Sequence, residues 1–179
     1  MLSSFWGALY YLSAVPFLGW ASTGTKYAVK FVKNVAGETI QIGYKFENGL
    51  IKWGGNLRKS LNIPNGDSRH AHHLIDWAAR DNPVVQRAGF ATKTNFHMNQ
   101  PSNGIAIDAW RNQPNHPQYN QAIEDNLFNI GETLKSRFGK SRVEDLDPVR
   151  MSNLTAHKIL LKRVITLCDG QTNYQKETS

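Results

Sequence analysis

The chain has 179 residues, which allows one domain core with a smaller appended segment and is too short for two full domains. Cys168 is its only cysteine, which excludes an intramolecular disulfide and a zinc site built from several thiolates. The formal net charge of +7 and the pI near 9.6 suit an anionic partner such as nucleic acid or a membrane surface. The net positive charge is +4 over residues 1–68, +1 over residues 69–139 and +2 over residues 140–179. Charge alone therefore locates no binding surface.

Residues 1–25 carry no charged side chain and are rich in aromatic residues. They do not fit a secretory signal, because the first positive side chain, Lys26, follows the apolar run instead of preceding it. A single transmembrane helix is possible by length, but Pro16 and Gly19 interrupt the run. We expect an apolar hairpin that is buried or faces a partner, with membrane contact of residues 1–25 as the alternative.

The next segment changes character to alternating apolar and polar residues. Residues 26–33 and 39–45, on either side of Gly37, predict a small hairpin, although the first run also suits a helix. Residues 56–61 predict a short helix. Residues 63–67, Ile-Pro-Asn-Gly-Asp, predict a turn that ends this segment.

Further along, residues 82–89 predict short apolar turns that are broken by Pro83 and stopped by Gly89. Residues 105–107, Ile-Ala-Ile, predict a brief strand.

The clearest helical pattern covers residues 118–138, with Pro117 in its first turn and Gly139 as its stop. A second helical pattern covers residues 149–168 and precedes a polar tail.

Histidines are concentrated in one part of the chain. Five of the six lie between His70 and His116, and His72 and His73 are adjacent. At the end of a strand, one member of such a pair can bind a metal while the other faces the adjoining space and accepts a proton. Three further motifs follow in order: Phe96-His97-Met98-Asn99, Asn103-Gly104-Ile105-Ala106-Ile107 and His116-Pro117-Gln118-Tyr119-Asn120.

The ordered set Ala71-His72-His73-Leu74-Ile75, Asn-Gly-Ile-Ala-Ile and His-Pro-Gln-Tyr-Asn resembles the AHH nucleases, a branch of the HNH and endonuclease VII superfamily that often forms the toxic C-terminal region of bacterial polymorphic toxins. The resemblance covers roughly residues 69–130. Asp76 departs from the pattern, which commonly has proline there. Residues 12–20 and 26–30 also look like the segment that often precedes such toxin domains.

This resemblance implies an α+β fold with a ββα-metal core of the HNH or His-Me finger type, additional helices and a short N-terminal hairpin. We therefore expect residues 1–68 to form an apolar, pre-toxin-like segment containing the hairpin. Residues 69–139 are expected to form the nuclease core, and residues 140–179 a C-terminal helix with a polar tail.

The resemblance also implies a division of labour within the site. His116 and Asn120 are four residues apart, so on a helix that begins near His116 they share one face, and His72 completes a three-residue set for a divalent ion (Mg, Mn or Zn). His73 is then the general base. Asn103 holds the loop or orients the His73 imidazole through its amide.

Other side chains are assigned more loosely. His97 can contact phosphate, assist the metal site or pack near the second strand, and it is left outside the catalytic set. Four cationic side chains can position a nucleic-acid backbone without reading its sequence: Arg69, Arg80, Lys93 and Arg111.

These assignments predict a metal-dependent endonuclease that cleaves DNA in preference to RNA. As a toxin, it would be delivered within a larger protein, act in the cytoplasm of the target cell and have a cognate acidic immunity protein. Two alternatives stay open. One is a metal-independent ribonuclease that uses His73 and His116 as base and acid. The other is a non-enzymatic, metal-stabilised module that binds a membrane or a partner.

Overall fold

A computed structural model of the chain describes residues 26–90, 96–109 and 117–147. The predicted apolar hairpin of residues 1–25 and the predicted helix over residues 149–168 lie outside these ranges. Within them, no helix has the length and apolar character needed to cross a membrane.

The first part of the described chain is a three-stranded antiparallel sheet in the order β1 (Lys26–Lys33), β2 (Thr39–Glu47) and β3 (Leu50–Trp53). The run that also suited a helix is a strand, because its alternate residues Ala28 and Val32 are buried with the alternate residues of β2. The predicted hairpin of β1 and β2 is therefore present, with a third strand added.

A tight turn adds this third strand. Asn48 and Gly49 both have positive φ, 52° and 76°, which is the backbone of a two-residue hairpin turn. Glu47 and Leu50 are consequently paired across β2 and β3. Ile51 and Trp53 then point into the core from β3.

Two short helices follow. Helix α1 (Leu57–Ser60) lies where residues 56–61 predicted it, and the Asn56 side chain caps it by accepting the backbone N–H of Arg58 at 2.8 Å. Helix α2 (Pro83–Phe90) runs through Gly89 instead of stopping there. Gly89 is required by packing, since a Cβ there would lie 2.4 Å from the indole of Trp53 on β3.

The histidine motif forms a second, two-stranded sheet. Strand β4 (His70–His73) pairs antiparallel with β5 (Gly104–Ile107), and His73 lies opposite Gly104. Helix α3 (Pro117–Phe138) follows and agrees closely with the predicted helix over residues 118–138. Two strands and a helix thus follow in the order that the motifs predicted.

The main cluster of buried side chains joins the first sheet to α2 and α3. Tyr44 and Trp53 of the first sheet pack with Ile75, with Ile123 and Leu127 of α3, and with side chains from residues 84–98 and 143–146. The described fold is α+β with two small sheets and three α-helices, which is compatible with the expected fold class. The ββα-metal core stays a prediction.

Candidate active site

Strand β4 carries the adjacent histidines and is packed against α1. Ala71 and its partner Ala106 lie against an apolar cluster formed by Leu57, Leu61 and Ile63. Successive side chains of a strand point to opposite faces, so His72 and His73 are directed into different surroundings. The two histidines can therefore perform different tasks.

The loop that leads into β4 is fixed by one guanidinium. Arg58 of α1 donates hydrogen bonds to the carbonyl oxygens of Arg69 (2.5 Å), Pro64 (2.7 Å) and Asp67 (2.6 Å). On the neighbouring strand β5, a Cβ on Gly104 would lie 2.6 Å from Leu57. Helix α1 therefore sets the position of both strands at the point where His73 and Gly104 pair.

The His73 imidazole is held by the amide of Asn99. Its Nε2 lies 3.0 Å from Asn99 Oδ1, and the Asn99 Nδ2 group donates to the carbonyl oxygens of Gly54 (2.9 Å) and Gly55 (3.4 Å). A carbonyl oxygen can only accept, so the NH2 group of Asn99 faces the glycines and its oxygen faces His73. The proton of neutral His73 therefore lies on Nε2, and Nδ1 is the basic nitrogen.

Burial lowers the pKa of His73 below its usual value, and the hydrogen bond to Asn99 opposes part of this shift. The ring is consequently neutral at physiological pH. A neutral imidazole with a defined basic nitrogen is what a proton acceptor needs.

A second histidine stands behind Asn99. His97 is fully buried, its Nδ1 accepts the backbone N–H of Asn99 at 2.9 Å, and its Nε2 donates to the carbonyl oxygen of Gly43 at 2.9 Å. Its ring also packs edge-on against Tyr44 and Trp53. Burial lowers the pKa of His97 to about 3. Of the three tasks considered for His97, packing is the one this geometry supports.

Asn103 is fully buried and ties two segments together. Its Oδ1 accepts the backbone N–H of Ile75 at 2.9 Å, and its Nδ2 donates to the carbonyl oxygen of Met98 at 2.8 Å. These bonds hold the loop, the first of the two tasks considered for Asn103. The amide that contacts the His73 imidazole is that of Asn99, which the sequence did not single out.

On the other face of β4, His72 lies beside the first turn of α3. Its ring centroid is 5.7 Å from that of Tyr119, whose hydroxyl donates to the carbonyl oxygen of Leu74. Tyr119 thereby fixes the start of α3 against the chain that leaves β4. The next residue, Asn120, has a buried Oδ1 with no hydrogen-bond partner among the described residues.

A buried amide oxygen is costly unless it has a partner, so this oxygen suits a ligand such as a bound ion. His72 and Asn120 both belong to the predicted metal-binding set: the His72 ring contacts Tyr119, and Asn120 is the next residue of α3. Their imidazole and amide donors suit a divalent ion. His116, the third member, lies outside the described residues.

A cluster of three or more His, Cys, Asp or Glu side chains that could bind a metal does not occur within residues 26–90, 96–109 and 117–147. Of the predicted set, only His72 belongs to these residue types and is described. The fit of the metal therefore depends on His72 and the amide of Asn120.

Two of the four predicted phosphate contacts are described. Arg69 pairs with Asp67, with Nη2 2.7 Å from Oδ2, and hydrogen bonds from Arg69 lower the pKa of that carboxyl to about 2. Arg80 is exposed and lies 5.7 Å above the indole of Trp77. Lys93 and Arg111 lie outside the described residues.

Trp77 is the other site residue that the sequence did not single out. Its ring centroid is 5.4 Å from that of His73. The side chain of Asp76 caps the 3₁₀ turn that carries it, accepting the N–H of Ala78 at 2.7 Å. The Asp76 departure from the AHH pattern thus serves a local turn. Trp77 is not part of an alternating or helical apolar pattern in the sequence. The 3₁₀ turn is what brings its ring next to His73.

Comparison with family models identifies a match to residues 53–152, described as AHH, a nuclease family of the HNH/ENDO VII superfamily with conserved AHH. Searches of curated proteins and of solved structures returned no match. The matched residues are more than half of the chain and include strands β4 and β5 and helix α3. The chain therefore belongs to the AHH family of nucleases, whose substrate is nucleic acid.

Proposed function

We propose that this nuclease is a divalent-metal-dependent endonuclease that hydrolyses the phosphodiester bonds of DNA. The observation that carries the proposal is the hydrogen-bond chain at His73. Asn99 fixes the proton on Nε2 and leaves Nδ1 as the acceptor, while burial keeps the ring neutral.

The reaction follows from this tautomer. His73 Nδ1 accepts a proton from a water molecule as its oxygen attacks phosphorus, one ester P–O bond breaks, and the departing oxygen takes a proton from solvent. Asn99 is a positioning residue in this scheme, because its amide keeps the protonated nitrogen away from the attacking water. Asn103 keeps the loop in register with β4 through Ile75 and Met98.

The metal would be held by His72, Asn120 and His116. Two observations support this assignment: the Asn120 oxygen is buried without a hydrogen-bond partner among the described residues, and the His72 imidazole lies against Tyr119, the residue before Asn120 in α3. A bound divalent ion would stabilise negative charge on the scissile phosphate and on the departing oxygen. His72 and His73 are successive residues of β4 and point to opposite faces of the strand, which separates a proposed ligand from the proposed base.

The biological setting is also proposed. An antibacterial toxin or effector domain, delivered within a larger protein to the cytoplasm of the target cell, agrees with the toxin-like character of residues 12–20 and 26–30. The charge of +7 suits both nucleic acid and an acidic immunity protein. Membrane contact by residues 1–25 would serve delivery.

The test is cleavage of DNA and RNA of matched sequence by the wild-type chain with Mg²⁺, Mn²⁺, Zn²⁺ or excess chelator. We expect cleavage of DNA that chelator abolishes and that re-added metal restores. RNA cleavage that continues unchanged in chelator would instead support the metal-independent ribonuclease. A folded protein that binds metal and cleaves neither polymer would support the non-enzymatic module.

A further inference from the structure

An exposed aromatic ring stands beside the proposed base. Trp77 keeps 38% of its surface exposed although its ring centroid is only 5.4 Å from that of His73, which is itself half-buried. A large apolar ring left open to solvent at a reactive centre is a candidate contact for substrate. Trp77 contributes no side chain to the described core.

The neighbour of this ring is a cation. The Arg80 guanidinium lies 5.7 Å from the indole centroid, and it is 3.6 Å from the exposed carboxylate of Asp81. Arg80 Nη1 also donates to the Trp77 carbonyl oxygen at 3.1 Å, which keeps the side chain near the ring. An indole with an adjacent guanidinium offers a stacking surface for a base and a positive charge for the phosphate attached to it.

The Arg80 guanidinium occupies part of the space above the Trp77 ring. A nucleobase can therefore stack on this ring only if replacing Arg80 there is energetically favourable. A cation–π contact at an exposed site is weaker than the stacking of a nucleobase on an aromatic side chain. The ion pair with Asp81 is likewise exposed and contributes little. An incoming base can therefore replace Arg80 on the indole, and the freed guanidinium remains within reach of a phosphate.

We propose that Trp77 stacks on an unpaired nucleobase next to the scissile phosphate, which makes single-stranded or locally unpaired nucleic acid the preferred substrate. The inference rests on the proposed nuclease function, with His73 as the base. A base in an intact duplex is already stacked on its neighbours and paired, so its face is not available to the indole. Trp77 is thus a specificity-determining residue of the nuclease.

The experiment uses a labelled single strand, its duplex of the same sequence, and single strands in which one nucleotide flanking the mapped cleavage position is abasic. For the wild-type chain we expect faster cleavage of the single strand than of the duplex. We also expect kcat/KM to fall roughly five- to hundredfold when the stacked base is removed, the range for the loss of one base–aromatic contact.

Trp77→Ala should lose a similar factor on the intact single strand and show little further loss on the abasic strand. Trp77→Phe should retain most of the wild-type preference, and Phe128→Ala, which removes an exposed aromatic ring from α3, should behave as wild type. If Trp77 only positioned His73, Trp77→Ala would slow all substrates equally and keep the full abasic effect, which would overturn the proposal. Unchanged cleavage of every substrate by Trp77→Ala would also overturn it.

Binding separates this inference from the proposed function. Fluorescence anisotropy with His73→Ala, alone and combined with Trp77→Ala, measures affinity for the same strands without cleavage. Tighter binding of the intact single strand than of the abasic strand, lost with Trp77→Ala, supports stacking even if the wild-type chain cleaves nothing. Equal binding of intact and abasic strands by His73→Ala would overturn stacking while leaving the nuclease proposal intact.

Discussion

The hydrogen-bond network around His73 differs from the surroundings of Asn120 in how the polar groups are satisfied. In this network, the side chains of Asn99, His97 and Asn103 all form hydrogen bonds to other described residues. On α3, the amide oxygen of Asn120 is buried without a partner among the described residues. The network is thus organised by internal hydrogen bonds, whereas Asn120 has a group that suits an added ligand.

This difference predicts different effects on stability and on metal binding. The groups of the His73 network should contribute to folding as well as to activity, because their hydrogen bonds are internal. The Asn120 oxygen should contribute to metal binding and little to folding, since it forms no hydrogen bond within the described residues that a substitution could remove. The following variants test whether the network and Asn120 can be separated in this way.

Asn103→Leu should have the largest effect on stability. It leaves the backbone N–H of Ile75 and the carbonyl of Met98 without their partner, at about 1–3 kcal/mol for each buried group. Urea unfolding at neutral pH measures the loss. Asn126→Leu is the control, since it removes an amide of α3 that bonds within its own helix, to the carbonyl of Ala122. Equal losses of stability in the two variants would contradict a larger structural contribution of Asn103.

Asn99→Ala should reduce turnover by about ten- to hundredfold, the range found when a residue that orients a reactive group is removed. Without its amide, the His73 ring loses the contact that fixes its tautomer and orientation. Single-turnover cleavage at saturating enzyme measures the effect on the chemical step. If the variant binds substrate more weakly but reacts at the wild-type rate once bound, Asn99 does not position His73.

Asn120→Ala should weaken binding of Mn²⁺ by about tenfold or more, because a direct ligand should matter at least as much as the outer-shell groups that orient it. Without metal, the variant should be as stable as wild type or more so, since a buried acceptor without a partner has been removed. Calorimetric titration measures the affinity for Mn²⁺, and urea unfolding in chelator measures the stability of the metal-free protein. A large loss of stability in chelator would show that the amide serves the fold.

Lys30→Met should affect stability and its pH dependence more than cleavage. Lys30 is buried on β1, where its ammonium donates to Gln100 at 2.8 Å, and burial lowers its pKa from 10.5 to about 7. The unfolded chain therefore binds this proton between pH 7 and 10.5 while the folded chain does not, so folding becomes more favourable as the pH rises through this window.

The variant lacks this dependence. Its advantage over wild type should be largest at pH 7 and below, and should shrink toward pH 10.5. Urea midpoints at pH 6.5, 8.5 and 10 measure the trend, with the exposed Lys33→Met as the matched control. If the difference in stability between Lys30→Met and wild type does not change with pH, burial does not shift the pKa of Lys30.

The sequence predicted the elements whose signals are local. The alternation in residues 26–45 indicated the hairpin, and the apolar spacing after Pro117 indicated α3. The Asn48-Gly49 turn, which adds β3, is a local signal outside the two predicted strands. The predicted stop at Gly89 lies one residue before the end of α2, and the reason for a glycine there, the approach of Trp53, lies on a distant strand and leaves no local signal.

For the site, the sequence predicted only those residues that lie in recognisable family motifs. Family resemblance indicated His72, His73 and Asn103 as members of one site, and the structure places them on or beside the paired strands. Asn99 could not be identified from the sequence, because its role depends on carbonyls 45 residues away and on a ring 26 residues away. Contacts of such separation leave no periodicity in the sequence.

The proposed role of His73 as the proton acceptor in a metal-dependent cleavage can be tested by comparing His73→Ala with His70→Ala, which changes an exposed histidine of the same strand. We expect His73→Ala to fold and to bind Mn²⁺ as wild type does but to cleave DNA about 10²–10⁴ times more slowly, the usual contribution of general base catalysis. His70→Ala should retain activity. If a folded, metal-binding His73→Ala protein cleaves DNA at the wild-type rate, His73 is not the base.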